Sequence, residues 1–267
     1  MIVRQTKVVV LAMAVLIGLV LVPASCATRM RSLDSIHFGY YEILRKNVIG
    51  GKVDYHRLKA KSRPVLESYL HDLATEDLKG PVWERASRDA KLAFWLNAYN
   101  ACVISGVIER YPDIKSVQDI PGFFDDKRWL VAGKKRSLNE MENEIIRPDF
   151  EEPRVHFVLV CAAQSCPPLQ PYAMLGTQLQ RDLERITRQV INDDRYVQID
   201  PKTKKLRLTR IMSWYKQDFV DAYGPLEAFL MRYLEEPARS QLAAGEYTIE
   251  FMEYDWALND AGGSPTP

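Results

Sequence analysis

The longest apolar pattern in the chain lies between residues 84 and 110. It begins with charged side chains such as Glu84 and Arg88, and from Leu92 to Ile108 it is apolar on nearly every helical face. A helix that is apolar all round lies in the centre of a domain. Tyr111-Pro112 ends the pattern, because the residue before a proline disfavours helical backbone. The sequence therefore predicts a central helix.

Shorter patterns predict the elements around this helix. A helical lead-in over residues 26–50 stops at Gly50-Gly51. Ser137 and Glu140 have the spacing of a capping box, which predicts a helix that starts there and ends before Pro148. The run Val155–Cys161 is apolar and β-branched, which predicts a buried strand. The other predicted elements are helices over Leu58–Leu73, about Ala173–Val190, Met212–Tyr223 and Leu226–Leu234, hairpins around Trp129–Lys134 and over Val197–Asp200 with Lys205–Leu208, and a strand over Tyr247–Glu253.

These elements predict one α+β domain over residues 51–260, in which the central helix packs on a small, mostly antiparallel sheet. The length suits a single domain with a full-sized core. Residues 261–267 predict a disordered tail.

The first 25 residues have the order of a secretory signal. Arg4 and Lys7 precede the apolar run Val8–Val22, and small residues then surround Cys26. Ala24-Ser25 before Cys26 favours lipoprotein processing with a lipid on Cys26, and ordinary signal cleavage near Ala27 is the alternative. We therefore expect an exported protein of the periplasm or outer membrane, either lipid-anchored or free, whose contact with a membrane is through Cys26.

The charge balance argues against a nucleic-acid partner. The chain has 36 Lys and Arg against 35 Asp and Glu. Loss of Arg4 and Lys7 with the signal leaves a net charge near −1, whereas phosphate backbones require a basic surface. The expected partner is an unidentified envelope ligand or peptide.

Four cysteines would lie in a compartment where disulfides form. Cys102 falls in the apolar helix and is interpreted as a small buried hydrophobe. Cys161 and Cys166 flank a short loop. For Cys166, the sequence leaves three readings open: a catalytic nucleophile, a disulfide with Cys161, or an inert thiol.

His156 opens the predicted strand, and the loop with Cys166 follows that strand. A thiol in such a place is activated when an adjacent imidazole lowers its pKa. His156 lies at the other end of the strand, so direct pairing is not assured. Glu142, on the preceding helix, is either a solvated carboxylate or the group that orients His156.

Asn97 and Asn100 lie one turn apart on the central helix and share a face. Buried amides need hydrogen-bond partners. They either bond neighbouring loop backbone and fix the core, or orient an imidazole or an oxyanion. The histidines form no ligand pair of zinc-site spacing, and the chain has no phosphate-binding glycine loop. We therefore expect no metal or other cofactor.

The chain contains an ordered set of motifs: Phe94–Ala101, Ser116-Val117 with Pro121–Phe124, His156–Leu169, Trp214-Tyr215 with Asp218-Phe219, and Tyr254–Asn259. Together these motifs resemble the domain-of-unknown-function 547 (DUF547) family over nearly all of the chain after the signal. The resemblance implies no established activity. The family usually has Glu-His where this chain has Glu142-Asn143. The layout is also loosely similar to papain-like and transglutaminase-like folds.

The preferred hypothesis is a Cys-dependent hydrolase or acyl transferase that acts on a peptide-like envelope substrate. Cys166 would be the nucleophile and His156 the base, with Asn97 or Asn100 and Glu142 as orienting groups. The alternative is a non-enzymatic module that binds a periplasmic ligand or protein and has a structural Cys161–Cys166 disulfide.

Overall fold

Helices and short strands follow one another along the chain in the computed structural model, which describes residues 31–262. The α-helices are α1 (Phe38–Asn47), α2 (Tyr55–Arg57), α3 (Arg63–Thr75), α4 (Pro81–Arg85), α5 (Arg88–Arg110), α6 (Leu138–Glu140), α7 (Arg147–Phe150), α8 (Leu179–Ile191), α9 (Arg210–Trp214), α10 (Lys216–Tyr223), α11 (Leu226–Tyr233) and α12 (Ala238–Ala243). The 3₁₀ segments cover Leu33–His37, Val117–Asp119 and Pro153–Phe157, and π-helical segments cover Leu58–Ser62 and Met141–Ile146. The predicted signal, Cys26 and the end of the predicted tail lie outside the described residues.

The strands form small sheets. They are β1 (Val48–Ile49), β2 (Lys52–Val53), β3 (Trp129–Val131), β4 (Lys134–Arg136), β5 (Val197–Asp200), β6 (Lys205–Leu208) and β7 (Thr248–Phe251). β1 pairs with β2, β3 with β4 and β5 with β6, all antiparallel, while β7 adds to β6 in parallel. The predicted α+β class is confirmed, and so are the predicted hairpins.

Helix α5 is the central helix that the sequence predicts. Ser87 Oγ accepts a hydrogen bond from the backbone N–H of Ala90 at 3.1 Å, so α5 begins at Arg88 and the residues before it form the separate helix α4. Its most apolar stretch has the length and composition of a membrane span, but 89% of that stretch is buried inside the domain. Its main neighbours are helical, including α3 and α8, rather than the small sheets.

The lead-in packs on this core. Leu33 and Ile36 are buried, and Tyr40 stacks on Tyr69 of α3 with ring centroids 4.8 Å apart. Gly50 and Gly51 both have positive φ and turn the chain from β1 into β2.

The predicted strand over Val155–Cys161 is wrong. Pro153–Phe157 is a 3₁₀ helix, and Val158–Cys161 follows as an irregular segment. Glu152 caps the turn by accepting from the N–H of Arg154 at 3.2 Å, and a proline in the first turn favours helical backbone. The apolar run could not reveal this, because a segment buried on all sides has the same composition as a buried strand.

The helix that starts at the predicted Ser137 cap also differs from its prediction. Ser137 Oγ accepts from the N–H of Glu140 at 2.9 Å, as the capping pattern predicts. The helical path does not end before Pro148 but continues through a π-helical segment into α7. Pro148 lies in the first turn of α7, where a missing N–H is tolerated. Glu151, with φ of 39°, ends this path.

Candidate functional site

One cleft brings together the predicted thiol, imidazole and carboxylate. It has a volume of about 280 Å³, and Cys161, Cys166, His156 and Glu142 line it. Aromatic side chains form most of its walls: Tyr99, Phe124, Trp214, Tyr215, Tyr254 and Trp256. A concave apolar site with a few convergent polar groups is the usual form of a ligand pocket.

The loop over residues 161–166, here called the thiol loop, is held by the end of the chain. The N–H of Gln164 donates to the carbonyl of Ala257 at 2.8 Å, and the N–H of Ser165 donates to the carbonyl of Asp255 at 3.2 Å. Two prolines follow Cys166, and Gly51 packs against Pro168 so closely that a Cβ on Gly51 would lie 2.3 Å from the Pro168 Cβ. These contacts fix the loop at the edge of the cleft.

The two sulfurs of the thiol loop lie side by side. Both cysteines are free thiols, and Cys161 Sγ is 2.6 Å from Cys166 Sγ. The Tyr254 hydroxyl is 3.0 Å from the first sulfur and 3.1 Å from the second. The backbone N–H of Cys161 also donates to Cys166 Sγ at 3.1 Å. Donors therefore converge on Cys166.

These hydrogen bonds shift the pKa values of the two thiols in opposite directions. Burial raises the pKa of Cys166, but hydrogen bonds from the Cys161 thiol and the Tyr254 hydroxyl outweigh it, so that this pKa lies below its ordinary value of 9.0. The hydrogen bond to Cys166, together with burial, raises the pKa of Cys161. A thiolate is the nucleophilic form of cysteine. Of the two sulfurs, Cys166 is the better nucleophile.

His156 is held by a carboxylate that itself lies against an arginine. Its Nε2 is 2.8 Å from Asp218 Oδ2, and Arg147 donates to both Asp218 oxygens at 2.7 Å. Burial raises the pKa of Asp218, but the hydrogen bonds with Arg147 and His156 outweigh it and hold the pKa well below 3.8. An ionised carboxylate only accepts, so Nε2 carries a proton, and in the neutral tautomer that this hydrogen bond selects Nδ1 is an acceptor.

A break between α9 and α10 positions these groups. Tyr215 has φ of −110° and ψ of 24° at the junction, and its ring stacks on His156 with centroids 3.7 Å apart. Asp218 follows three residues later, in the first turn of α10. The predicted single helix over Met212–Tyr223 would not have provided this bend.

Glu142 faces the other nitrogen of His156. Its Oε1 lies 3.8 Å from Nδ1, and the side chain is 6% exposed. Within the described residues, Nδ1 has no hydrogen-bond partner. Burial and the neighbouring Glu142 carboxylate both raise the pKa of Tyr215, so that its phenol stays protonated. Glu142 is thus placed near the imidazole as predicted, but Asp218 makes the hydrogen bond that orients the ring.

Comparison with known proteins gives a family but no activity. Residues 83–191 match the model of a family described as "Protein of unknown function, DUF547". The chain is a DUF547 domain-containing protein. The DUF547 match includes Glu142, His156 and both cysteines of the thiol loop, whereas Asp218 and Tyr254 lie beyond it. No curated protein and no solved structure matches the chain.

The two asparagines of the DUF547 segment bond backbone rather than lining the cleft. Asn97 accepts from the N–H of Met174 at 2.9 Å and donates to its carbonyl at 2.8 Å. Asn100 accepts from the N–H of Val160 and donates to the carbonyl of Val158, both at 2.9 Å. Of the two roles that the sequence leaves open for these amides, the structure shows the first: they bond neighbouring loop backbone and fix the core, and neither makes a hydrogen bond to His156 among the described residues.

Sequence reasoning did not select Asp218, Arg147, Tyr215 or Tyr254 as functional. Asp218 is 62 residues from His156, and Tyr254 is 88 residues from Cys166. No local spacing links such pairs. The motifs Trp214-Tyr215, Asp218-Phe219 and Tyr254–Asn259 that carry the DUF547 resemblance were the available signal. Cys102, in contrast, is wholly buried on α5, and burial raises the pKa of its thiol.

Proposed function

We propose that the cleft catalyses Cys166-dependent acyl transfer or hydrolysis on a peptide-like substrate. The observation that supports this most directly is the convergence of the Cys161 thiol, the Tyr254 hydroxyl and a backbone N–H on Cys166 Sγ. Hydrogen bonds to a sulfur favour its charged form. They therefore prepare Cys166 as a nucleophile beside a site large enough for a side chain and a reacting carbonyl.

The reaction would proceed in two steps. Nδ1 of His156 takes the proton of Cys166, and the sulfur adds to the substrate carbonyl carbon. The bond to the leaving amine breaks as His156 returns the proton to that nitrogen, which leaves a thioester on Cys166. Water or an acceptor amine then attacks the thioester, releases the acylated product and restores the thiol.

His156 and Cys166 do not pair in the described structure. Among residues 31–262, the hydrogen bonds of Cys166 Sγ involve Cys161 and Tyr254, while His156 Nε2 binds Asp218. Catalytic hydrogen bonds are often long or absent until substrate binds. In this proposal, Asp218 and Arg147 hold the ring so that Nδ1 is the nitrogen that exchanges protons.

The proposal places this reaction in the cell envelope. The charged and apolar pattern before Cys26 supports export, and the small residues before Cys26 support its lipidation. Mass analysis of the N-terminal peptide of the expressed protein tests this: a diacylated Cys26 is expected, and an unprocessed Met1 would contradict it.

A loose likeness to papain-like and transglutaminase-like folds belongs to the same proposal. The likeness is that a thiol, an imidazole and a carboxylate lie together beside a central helix. In those folds the helix supplies the thiol, whereas the thiol loop supplies it here. Fold analogy of this kind adds little to the argument from the site itself.

Acylation of Cys166 tests the reaction. The reduced full-length chain is treated with an N-acetylated amino acid p-nitrophenyl ester, and adducts are located by peptide mapping. Cys166 is expected to acylate about 100-fold faster in the folded chain than in urea, which is in the range of general acid–base contributions. Cys102→Ser should behave as the parent, and His156→Ala should slow turnover. Equal rates in folded and unfolded chain would overturn the proposal.

The sulfur contact favours a second candidate, a binding module without catalysis. Sulfurs 2.6 Å apart can join as a disulfide with little movement of the thiol loop, and a disulfide would remove the nucleophile. Peptide mapping of chain purified without reductant separates the candidates. A linked Cys161–Cys166 pair, together with no acylation after reduction, supports the binding module.

A further inference from the structure

We infer that the ligand of this cleft carries a primary ammonium group on an aliphatic chain, such as a lysine-type side chain. The inference rests on the proposed function for the identity of the site, and it adds the chemical class of the substrate. It is carried by three properties of the lining: its charge, the arrangement of its aromatic rings, and a buried carboxylate that lacks a cation.

The lining is acidic. Its described residues include two carboxylates, Glu142 and Asp125, and no Lys or Arg. In the neighbouring sequence, Glu253 and Asp255 flank Tyr254, whereas Lys127 and Arg128 follow Asp125 but lie outside the lining. A cleft lined by one sign of charge attracts ligands of the opposite sign. An anionic substrate is disfavoured at such a site.

Three rings, here called the aromatic corner, meet at one side of the cleft. Trp214 lies 4.7 Å from Tyr254 and 5.9 Å from Trp256, and Tyr254 lies 4.8 Å from Trp256, measured between ring centroids. Their planes are tilted by 32° to 58°, so the rings pack against one another as a tilted cluster rather than one stack. Trp214 is 47% exposed, so part of its surface remains open to a ligand. An accessible face of a Trp or Tyr ring attracts an organic cation.

Another aromatic residue of the lining, Tyr215, already makes such a contact. The guanidinium carbon of Arg147 lies 5.2 Å from the centre of the Tyr215 ring, and His156 covers the ring as well. Tyr215 is therefore occupied, whereas the aromatic corner faces the cleft. The aromatic rings alone would bind a neutral apolar ligand equally well. The Glu142 carboxylate is therefore the feature that favours a cationic ligand over a neutral one.

Glu142 is a buried carboxylate that pairs with no Lys or Arg among the described residues, although the Tyr215 hydroxyl hydrogen-bonds it. It is 5% exposed, and within the described residues its one ion-pair contact is His156 at 3.8 Å. An isolated buried charge is costly, and pairing with a cation offsets that cost. An ammonium group in the cleft would contact the aromatic corner and form a charge-assisted hydrogen bond with this carboxylate, to which a neutral ligand offers only a weaker one.

Binding to Cys166→Ser tests this without requiring turnover. The probes are N-acetyl-lysine amide, its neutral analogue N-acetyl-norleucine amide, and choline, followed by calorimetry. We expect the lysine probe to bind about tenfold tighter than the norleucine probe, because cation–π and carboxylate contacts together approach the free energy of one tenfold step. Equal affinities would overturn the inference, and tighter choline binding would overturn the choice of a primary amine.

Variants identify the groups responsible. Glu142→Gln and Asp125→Asn should each reduce lysine-probe affinity and leave norleucine-probe affinity unchanged. Trp214→Ala should weaken the lysine probe as well. Glu144→Gln is the matched control, since it removes the same charge from an exposed position outside the lining. If it lowered the affinity as much as Glu142→Gln, the effect would be general charge and the inference would fail.

The two proposals fail separately. A lysine preference in Cys166→Ser without acylation of the parent chain keeps the ligand class and removes the reaction. Acylation of Cys166 without a lysine preference removes the ligand class and keeps the reaction. Asp125→Asn lies at an exposed position, so it keeps the test valid if Glu142→Gln does not fold.

Discussion

The asparagine pair of α5 and the cleft beside it show two ways of burying polar groups in one domain. Asn97 and Asn100 each make two hydrogen bonds to loop backbone. In the cleft, His156 Nδ1 has no hydrogen-bond partner among the described residues, and Glu142 forms no ion pair with a Lys or Arg of those residues. Buried polar groups are normally satisfied. The asparagine amides therefore stabilise the fold, whereas polar groups of the cleft remain available to bind a ligand.

The largest expected effect concerns Asn100. Asn100→Ala leaves the N–H of Val160 and the carbonyl of Val158 buried without their partner, so the free energy of unfolding should fall by about 2–4 kcal/mol. Urea denaturation measures it. Asn143→Ala is the control, because Asn143 is exposed and bonds Arg147 at the surface. A similar loss in both variants would mean that the Asn100 amide is not structural.

Asp218 should show the next largest effect, and the effect should depend on pH. Its pKa is lower in the folded chain than the ordinary 3.8, so its stabilising contribution is present above that value and is lost as the pH falls below it. Asp218→Asn should lower the free energy of unfolding by about 2 kcal/mol at pH 7, where the Arg147 pair and the His156 bond lose their charge.

Urea denaturation at pH 7 and near pH 3 checks the sign. The difference between the parent and Asp218→Asn should shrink at the lower pH, because the carboxylate of the unfolded parent chain, with its ordinary pKa of 3.8, takes up a proton there while the folded-state carboxylate stays ionised. A difference that stays constant across this range would contradict the ionised Asp218 on which the assignment of the His156 proton depends.

Removal of the Cys161 thiol should have a smaller effect, on reactivity. Cys161→Ala deletes one donor to Cys166 Sγ, so the pKa of Cys166 should rise and its alkylation by iodoacetamide at pH 7 should slow about tenfold, the equivalent of one pKa step. Cys102→Ala is the matched control, since that thiol is buried away from the cleft. An unchanged rate in Cys161→Ala would show that the sulfur contact does not activate Cys166.

The smallest expected effect is that of Tyr254→Phe. The phenol is one of several donors to Cys166, and a single neutral hydrogen bond contributes about 1 kcal/mol. Alkylation of Cys166 should slow about threefold to fivefold. If it slowed more than in Cys161→Ala, the hydroxyl rather than the neighbouring thiol would be the main donor.

The sequence predicted what local pattern controls. The apolar run of α5, the Ser137 cap, the glycine turn at Gly50-Gly51 and the β5–β6 hairpin all depend on nearby residues. The prediction of a strand over Val155–Cys161 was wrong because the backbone of this segment bonds the side chain of Asn100, about 60 residues earlier, instead of a neighbouring strand. A side chain that makes the hydrogen bonds usually made by a neighbouring strand leaves no periodic pattern in the sequence.

The candidate site was predicted only in part for the same reason. Cys166, His156 and Glu142 lie within one segment of the chain, around the apolar run over Val155–Cys161, and this closeness suggested a shared cleft. Asp218 reaches His156 and Tyr254 reaches Cys166 from the last quarter of the sequence, and tertiary packing alone brings them there. The bend at Tyr215 directs Asp218 to His156. No proline or glycine lies near this bend, so it could not be predicted from the sequence.

The central claim is that hydrogen bonds from its neighbours lower the pKa of the Cys166 thiol and so favour its thiolate form. The most direct test is the pH profile of iodoacetamide modification at Cys166 in the reduced, folded chain, read by peptide mapping. The account predicts a midpoint below 9.0, the ordinary thiol value. A midpoint at or above that value, or a Cys166 that reacts only after unfolding, would contradict it.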